Sequence, residues 1–205
     1  MVSLRMLYFI LAIGGLVPSG NATCSDLLKA KHVDFESVGQ PPGLPACIVL
    51  QPVQLKSVLL NGAILQLPDH PILNCEFALQ FVSWLQDLGG PAAVENEGSA
   101  LTHLYTGPGF VCRGRNGDIS AKISEHGFGN AVDVERLQFG DGLKVLVHDA
   151  PDVTSPGYEV LNAIRASACT RFTTVLGPGS NAAHREHFHF DSGVQGKSGI
   201  YRICE

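Results

Sequence analysis

The sequence predicts an α+β domain, and three observations carry that prediction. Apolar residues make up 45% of the 205-residue chain and charged residues only 16%, enough apolar side chain for a core and too few charges for disorder. Gly (23) and Pro (12) are abundant, which favours many turns and short elements over a helical bundle. Two helix-like stretches sit among several short strand-like runs. A small antiparallel sheet with two longer helices is therefore expected, in one domain spanning 23–205.

Residues 1–22 read as a separate segment. Arg5 is their only charge, Met6 to Val17 is an apolar run, and Pro18 to Asn21 break it before small residues at Gly20 and Ala22. That is the layout of a secretory signal peptide cleaved after Ala22. A membrane anchor is the alternative, but the run falls short of the roughly 20 residues that cross a bilayer. Lipid attachment at Cys24 is a further alternative, although Asn21-Ala22-Thr23 makes a poor lipoprotein box.

The elements follow in order. Ser25 to His32 reads as a short helix capped by Ser25, and Val33 to Glu36 as a strand. Val53 to Leu60 and Ala63 to Leu67 flank Asn61-Gly62, a strong hairpin signal. Asn74 caps a helix from Cys75 to Leu88 with an Ala78, Phe81, Val82, Leu85, Leu88 stripe; Gly89 ends it, and Trp84 lies off the stripe. Strands are expected at Ala100 to Thr106, Ala131 to Glu135 and Leu143 to His148. Ser155-Pro156 starts a second long helix running to about Ala168, with Pro at the favoured first position. Phe172 to Leu176 and His187 to Asp191 are the last strands.

Charge and cysteine usage narrow the function classes. The formal net charge is −5 with no basic run, so the chain lacks an electrostatic footprint for nucleic acid or anionic lipid. Its six cysteines, Cys24, Cys47, Cys75, Cys112, Cys169 and Cys204, form no C-x-x-C pair. An even set with that spacing fits disulfides in an oxidising compartment, the periplasm or outside the cell. Sequential pairing (Cys24–Cys47, Cys75–Cys112, Cys169–Cys204) is expected, in a monomer with no stable membrane insertion after cleavage.

Four of the eight histidines fall in two short segments, Ser124 to Asp133 and His184 to Asp191. On a strand, His187 and His189 share one face while Phe188 and Phe190 take the other. Exposed or hydrogen-bonded histidines would explain the pair; so would a metal, since neutral imidazole is a favoured zinc ligand. In the first segment Gly127 and Gly129 let the chain turn between His126 and Asp133. Asp133 sits in an apolar run, where a carboxylate is costly unless paired or coordinated. Two His and one Asp suit Zn²⁺ and leave its fourth position open, the layout of a catalytic site. Glu186, three residues before His189, is a candidate general base. Strand parity would point it away, so the strand must start after it.

These residues carry a resemblance. Ser124-x-His126-x-x-Gly129-x-Ala131-x-Asp133 resembles the signature of the D-Ala-D-Ala metallopeptidases, and Glu186-x-x-His189 their E-x-x-H. His187-x-His189 resembles the H-x-H of the wider LAS group of lysostaphin, D-Ala-D-Ala peptidases and hedgehog. Cys112-Arg113, Asn130-Ala131-Val132-Asp133, Cys169-Thr170-Arg171-Phe172 and Ala182-Ala183-His184 look like the bacterial extensin-like C-terminal domain family, a likeness running from Cys24 to Cys204. The resemblance implies a LAS-like core, Zn²⁺ held by His126, Asp133 and His189, and Glu186 as base. It also implies that His187 hydrogen-bonds the transition state, that Ser124 contacts substrate, and that an upstream Arg steadies the oxyanion. Arg113 fits that last place, with Arg115 its competitor. His184 is outside the ligand set. The activity implied is hydrolysis of D-amino-acid-containing bonds in peptidoglycan stem peptides, by an endopeptidase or a carboxypeptidase. The rivals are a non-catalytic zinc protein of the same fold and a metal-free, disulfide-stapled structural protein.

Overall fold

A computed structural model describes residues 22–87, 95–96, 99–118, 120–199 and 201–205. The expected leader lies outside these residues save for Ala22, as do Leu88 and Gly89, the expected end of the second helix. The described chain runs α1 (Cys24–Ala30), β1 (Val33–Ser37), β2 (Pro52–Leu60), β3 (Ala63–Gln66), β4 (Ile72–Asn74), α2 (Cys75–Gln86), β5 (Glu95–Asn96) and β6 (Ser99–Tyr105). It continues with β7 (Ala131–Val134), β8 (Arg136–Phe139), β9 (Lys144–Leu146), α3 (Tyr158–Arg171), β10 (Thr174–Leu176), β11 (Phe188–Asp191) and β12 (Ile203–Cys204). No helix among the described residues is long and apolar enough to cross a membrane.

The α+β class holds, but two sheets replace the single small antiparallel one. The larger follows β1-β2-β3-β6-β8-β9, with β4 on β2 and β5 on β6; the smaller is β12-β10-β11-β7. The β3–β6 and β10–β12 pairings are parallel, so neither sheet is purely antiparallel. The chain crosses from one sheet to the other at Glu135, the single residue between β7 and β8. The strand expected over Ala131 to Glu135 therefore ends one residue early and another follows at once.

Local chemistry explains most boundaries. Asn61 and Gly62 both take positive φ, 48° and 84°, which the two-residue turn joining β2 to β3 requires. Thr23, not Ser25, caps α1: its hydroxyl accepts from Asp26 N–H and the Asp26 carboxylate accepts from Thr23 N–H, each at 3.2 Å. This reciprocal box satisfies two backbone donors at once. Asn74 caps α2 as expected, accepting from Phe77 N–H at 2.8 Å. Pro156 does not open α3. The helix begins at Tyr158, whose N–H donates to the Ser155 carbonyl in a preceding turn.

At 12 residues α2 is too short to be stable alone in water; packing holds it. Phe77 and Trp84 pack from it against Phe172, Trp84 also meets Phe190 of β11, and Phe81 stacks on Trp84. Trp84, off the expected stripe, is fully buried all the same, and its indole N–H donates to Ser167 Oγ at 3.0 Å. Its other face meets α3, so α2 is apolar around more than one stripe.

All six cysteines pair, but not sequentially. Cys24 bonds Cys75, Cys47 bonds Cys112 and Cys169 bonds Cys204, with Cα–Cα separations of 6.0, 5.7 and 5.8 Å. Only the third expected pair survives. Cys24 and Cys75 are the first residues of α1 and α2, two helices that pack together. Cys47 and Cys112 lie on loops that cross beside the turn carrying His126. Three disulfides fit an extracytoplasmic compartment.

Candidate metal centre

The smaller sheet sets half the centre. β7 and β11 run antiparallel, with Asp133 directly opposite His189 and Val132 opposite Phe190. Alternation sends Phe188 and Phe190 to the core and leaves Asp133, His189 and Asp191 on one face. His126 arrives from a one-turn 3-10 segment, Glu125–Phe128, closed by Gly129 at φ +60°. A Cβ on Gly129 would stand 2.6 Å from Asn74 N and 2.7 Å from Val49 Cγ1. The turn is thereby pressed onto the α2 cap, and Asn74 N–H donates to the Gly129 carbonyl at 2.8 Å. Glycine is required on both counts, backbone conformation and closeness.

Three donor atoms converge. His126 Nε2 is 3.2 Å from Asp133 Oδ1 and 3.1 Å from His189 Nδ1, and His189 Nδ1 is 2.9 Å from Asp133 Oδ1. Two ligand atoms on a tetrahedral zinc ion lie roughly 3.3 Å apart, so the triangle is within a few tenths of an ångström of zinc spacing. Both imidazoles are also held from behind. His126 Nδ1–H donates to the Gly109 carbonyl at 2.6 Å and His189 Nε2–H to Asp191 Oδ2 at 3.0 Å. A carbonyl and a carboxylate can only accept, so each outer nitrogen carries a proton; His126 Nε2, and His189 Nδ1 once it gives up its own proton, can then turn lone pairs into the triangle. A carboxylate behind a metal-binding imidazole fixes its tautomer and raises its basicity. The donor set fits zinc: two imidazoles, one of which must first give up a proton, and one carboxylate, with Asp133 only part-buried.

The electrostatics agree. Burial disfavours charge on His189, but hydrogen bonds with Asp133 and Asp191 outweigh it and push its pKa up to about 9. Burial likewise raises Asp133, yet hydrogen bonds with His126 and His189 hold it well below the usual carboxylate range. A triangle of acceptors must hold a proton or a cation; Zn²⁺ would displace the proton. Burial, reinforced by the neighbouring His189 and His187, drops His184 to about 4, and burial also lowers His187 against the pull of Asp133.

The other expected residues spread around this triangle. His187 Nε2 stands 3.6 Å from Asp133 Oδ1, at its edge. Arg113, Arg115 and Ser124 line a polar cavity that also contains His189. Glu186 precedes β11, as strand parity demanded, but its side chain is 65% exposed and pairs with Arg185 at 3.6 Å. It lines a different cavity, with Glu135, His148 and Tyr105; the described contacts give it none to the triangle. Sequence reasoning gave no role to Asp191 or to the Gly109 carbonyl. The His187-x-His189-x-Asp191 alternation could have disclosed Asp191; nothing in the sequence marks a backbone carbonyl. It also set aside His184, which is buried against His187 and His189 with ring separations of 5.3 and 5.5 Å. Asn181 Oδ1 accepts from His184 Nδ1–H at 2.8 Å and from Ala183 N–H at 3.0 Å, so His184 Nε2 keeps its lone pair.

Comparison with curated proteins and with solved structures gave no match. One family model, described as extensin-like protein C-terminus, matches residues 22–205. That match spans nearly the whole chain, the site and all three disulfides included, and the chain belongs to the extensin-like C-terminal family.

Proposed function

We propose that this chain is an exported zinc-dependent peptidase that hydrolyses D-amino-acid-containing bonds of peptidoglycan stem peptides. The observation that carries the reading is the triangle of His126, Asp133 and His189, whose donor atoms converge while the outer nitrogen of each imidazole is held by an acceptor. Kinship with the D-Ala-D-Ala metallopeptidases is part of the proposal, supported by the S-x-H-x-x-G-x-A-x-D and E-x-x-H patterns. The substrate class rests on that kinship, and export is supported by the disulfides. Zinc bound there supplies a Lewis acid and lowers the pKa of water toward roughly 7.

The chain's own groups do the rest. Glu186 takes the proton of the attacking water on its carboxylate and returns it to the leaving amine. Arg113 and His187 donate hydrogen bonds to the oxyanion of the tetrahedral intermediate, and Ser124 contacts the substrate. A second proton acceptor is favoured by one observation: His184 is buried in the wall that contains His189, with Nε2 bearing its lone pair. The test is digestion of purified peptidoglycan by the wild type and by Glu186→Ala and His184→Ala, with products read by mass and zinc measured in each. Losing a general base should cut turnover about 10²–10⁴-fold with zinc unchanged. A loss confined to His184→Ala moves the base to His184, and lost zinc in Glu186→Ala makes Glu186 a ligand. Zinc-loaded wild type that cleaves nothing leaves a non-catalytic wall-binding domain.

A further inference from the structure

A polar cavity of about 200 Å³ has His189 in its wall, on the side of that residue occupied by Asp191 and Thr174 rather than by His126 and Asp133. Arg113 and Arg115 line it with the amide side chains of Asn181 and Gln195. Its two carboxylates are already engaged. Asp191 accepts from His189 at 3.0 Å and from Gly193 N–H at 2.9 Å. Glu125 accepts from Asn130 at 2.9 Å and stands 3.8 Å from Arg115. No carboxylate among the described residues pairs with Arg113, so one guanidinium charge in this recess is left over.

A partly desolvated cation needs an anion, and the planar guanidinium fork matches a carboxylate in particular. Size restricts the bearer of that carboxylate. Drug-sized ligands occupy about 300–1,000 Å³; this cavity takes a single small residue. The C-terminal segment bounds it on one side. There Ile203 of β12 lines the wall, Gln195 donates to Thr174 Oγ1 at 3.0 Å, and the Cys169–Cys204 disulfide ties β12 to the end of α3.

We infer that this cavity receives the free α-carboxylate of a small C-terminal residue, so that the substrate is the carboxyl end of a peptide. The inference rests on the peptidase reading and selects carboxypeptidase over endopeptidase. The electrostatic partner is Arg113, which here serves the α-carboxylate in place of the oxyanion and leaves the oxyanion to His187, while Arg115 stands 3.8 Å from Glu125.

The probes are N-acetyl-D-alanine and its carboxamide, titrated by NMR into the zinc-loaded full chain. Cleavage of N-acetyl-D-alanyl-D-alanine and its carboxamide is followed in parallel. The acid should bind about 10–100-fold more tightly than the amide, the range for hydrogen bonds to a charged group. In Arg113→Gln the preference should fall to within about threefold, with zinc content and melting temperature unchanged. Equal affinities for acid and amide overturn the inference, as does binding of neither. A preference that survives both Arg113→Gln and Arg115→Gln also overturns it, because the carboxylate is then held elsewhere, for instance by the metal. The cleavage arm tells the two readings apart. Equal cleavage of acid and amide keeps the peptidase and discards the carboxylate site, whereas arginine-dependent acid binding without cleavage keeps the site and discards the peptidase.

Discussion

Asp191→Asn is the sharpest probe of the centre, because it removes one charge and touches no proposed ligand atom. Asp191 uses both carboxylate oxygens as acceptors: Oδ2 from His189 Nε2–H at 3.0 Å and Oδ1 from Gly193 N–H at 2.9 Å. Asparagine is nearly the same size but offers one oxygen and one NH₂. Whichever way the amide turns, a donor faces a donor, either at His189 or at Gly193. The first orientation drives His189 toward the wrong tautomer; the second leaves a buried N–H unpaired, at about 1–3 kcal/mol. Losing the group that orients a metal-binding histidine typically lowers metal affinity about 10–100-fold, about 1.4–2.7 kcal/mol. One effect runs the other way. Asp191 also helps to raise the pKa of His189 to about 9, so its loss weakens the proton that zinc must displace. Competition with a chromophoric chelator at about pH 10, where a group with a pKa of about 9 has largely lost its proton, isolates the metal term. Zinc affinity within about twofold of wild type, in a variant that melts as a folded protein, would refute the assignment of Asp191 and weaken the case for His189 as a ligand.

The remaining expectations are simpler. In the metal-free protein the raised His189 pKa stabilises the fold fully below about pH 6.5, and that contribution is lost as pH rises through about 9. Zinc takes the place of that proton, so its apparent affinity should climb about tenfold per pH unit between about 6.5 and 8.5, releasing one proton per ion; a flat profile by calorimetry contradicts the triangle. Gly129→Ala should destabilise the protein by about 2–4 kcal/mol in a denaturant melt, from the left-handed backbone and the 2.6 Å approach to Asn74 N. Non-reducing mass mapping should recover Cys24–Cys75 and Cys47–Cys112, and recovery of Cys24–Cys47 would contradict the packing of α1 on α2.

What the sequence disclosed was local chemistry. Asn61-Gly62 announced its turn because the backbone conformation needed there is one few other residues adopt. Asn74 announced the start of α2 because its side chain satisfies a helix donor directly. Where the decision was tertiary, the reading went astray. Ser25 and Thr23 are both good caps, and the choice fell to Thr23 because Asp26 reaches back to it. The break at Glu135, which sends neighbouring residues to different sheets, has no glycine or proline to mark it. Disulfide partners follow from which helices and loops lie side by side, and cysteine spacing is silent about that.

The site was legible for a related reason and to a related extent. Metal ligands must be His, Asp, Glu or Cys, so the sequence exposes the candidates, and strand alternation sorts them by face. That logic brought together His126, Asp133 and His189, which the fold places within hydrogen-bonding distance of one another. It extends one step further than it was taken: a strand that puts His187 and His189 on a face puts Asp191 there too, and a buried carboxylate beside a buried imidazole orients it. It stops at Gly109, whose contribution is a carbonyl oxygen that any residue would supply. It also cannot rank Glu186 against His184. Both lie within five residues of His189, and burial, which spacing does not encode, is what separates them: Glu186 is mostly exposed and His184 is enclosed. A proton acceptor works where water is scarce and the substrate is fixed, so in the proposed peptidase the position of the base would depend on which of the two cavities the peptide fills. Arg113 lines the cavity that His184 shares and pairs with no carboxylate among the described residues. A carboxylate drawn to Arg113 would bring the peptide past His184 first, and the parallel Glu186→Ala and His184→Ala digestions then report on substrate placement as well as on chemistry.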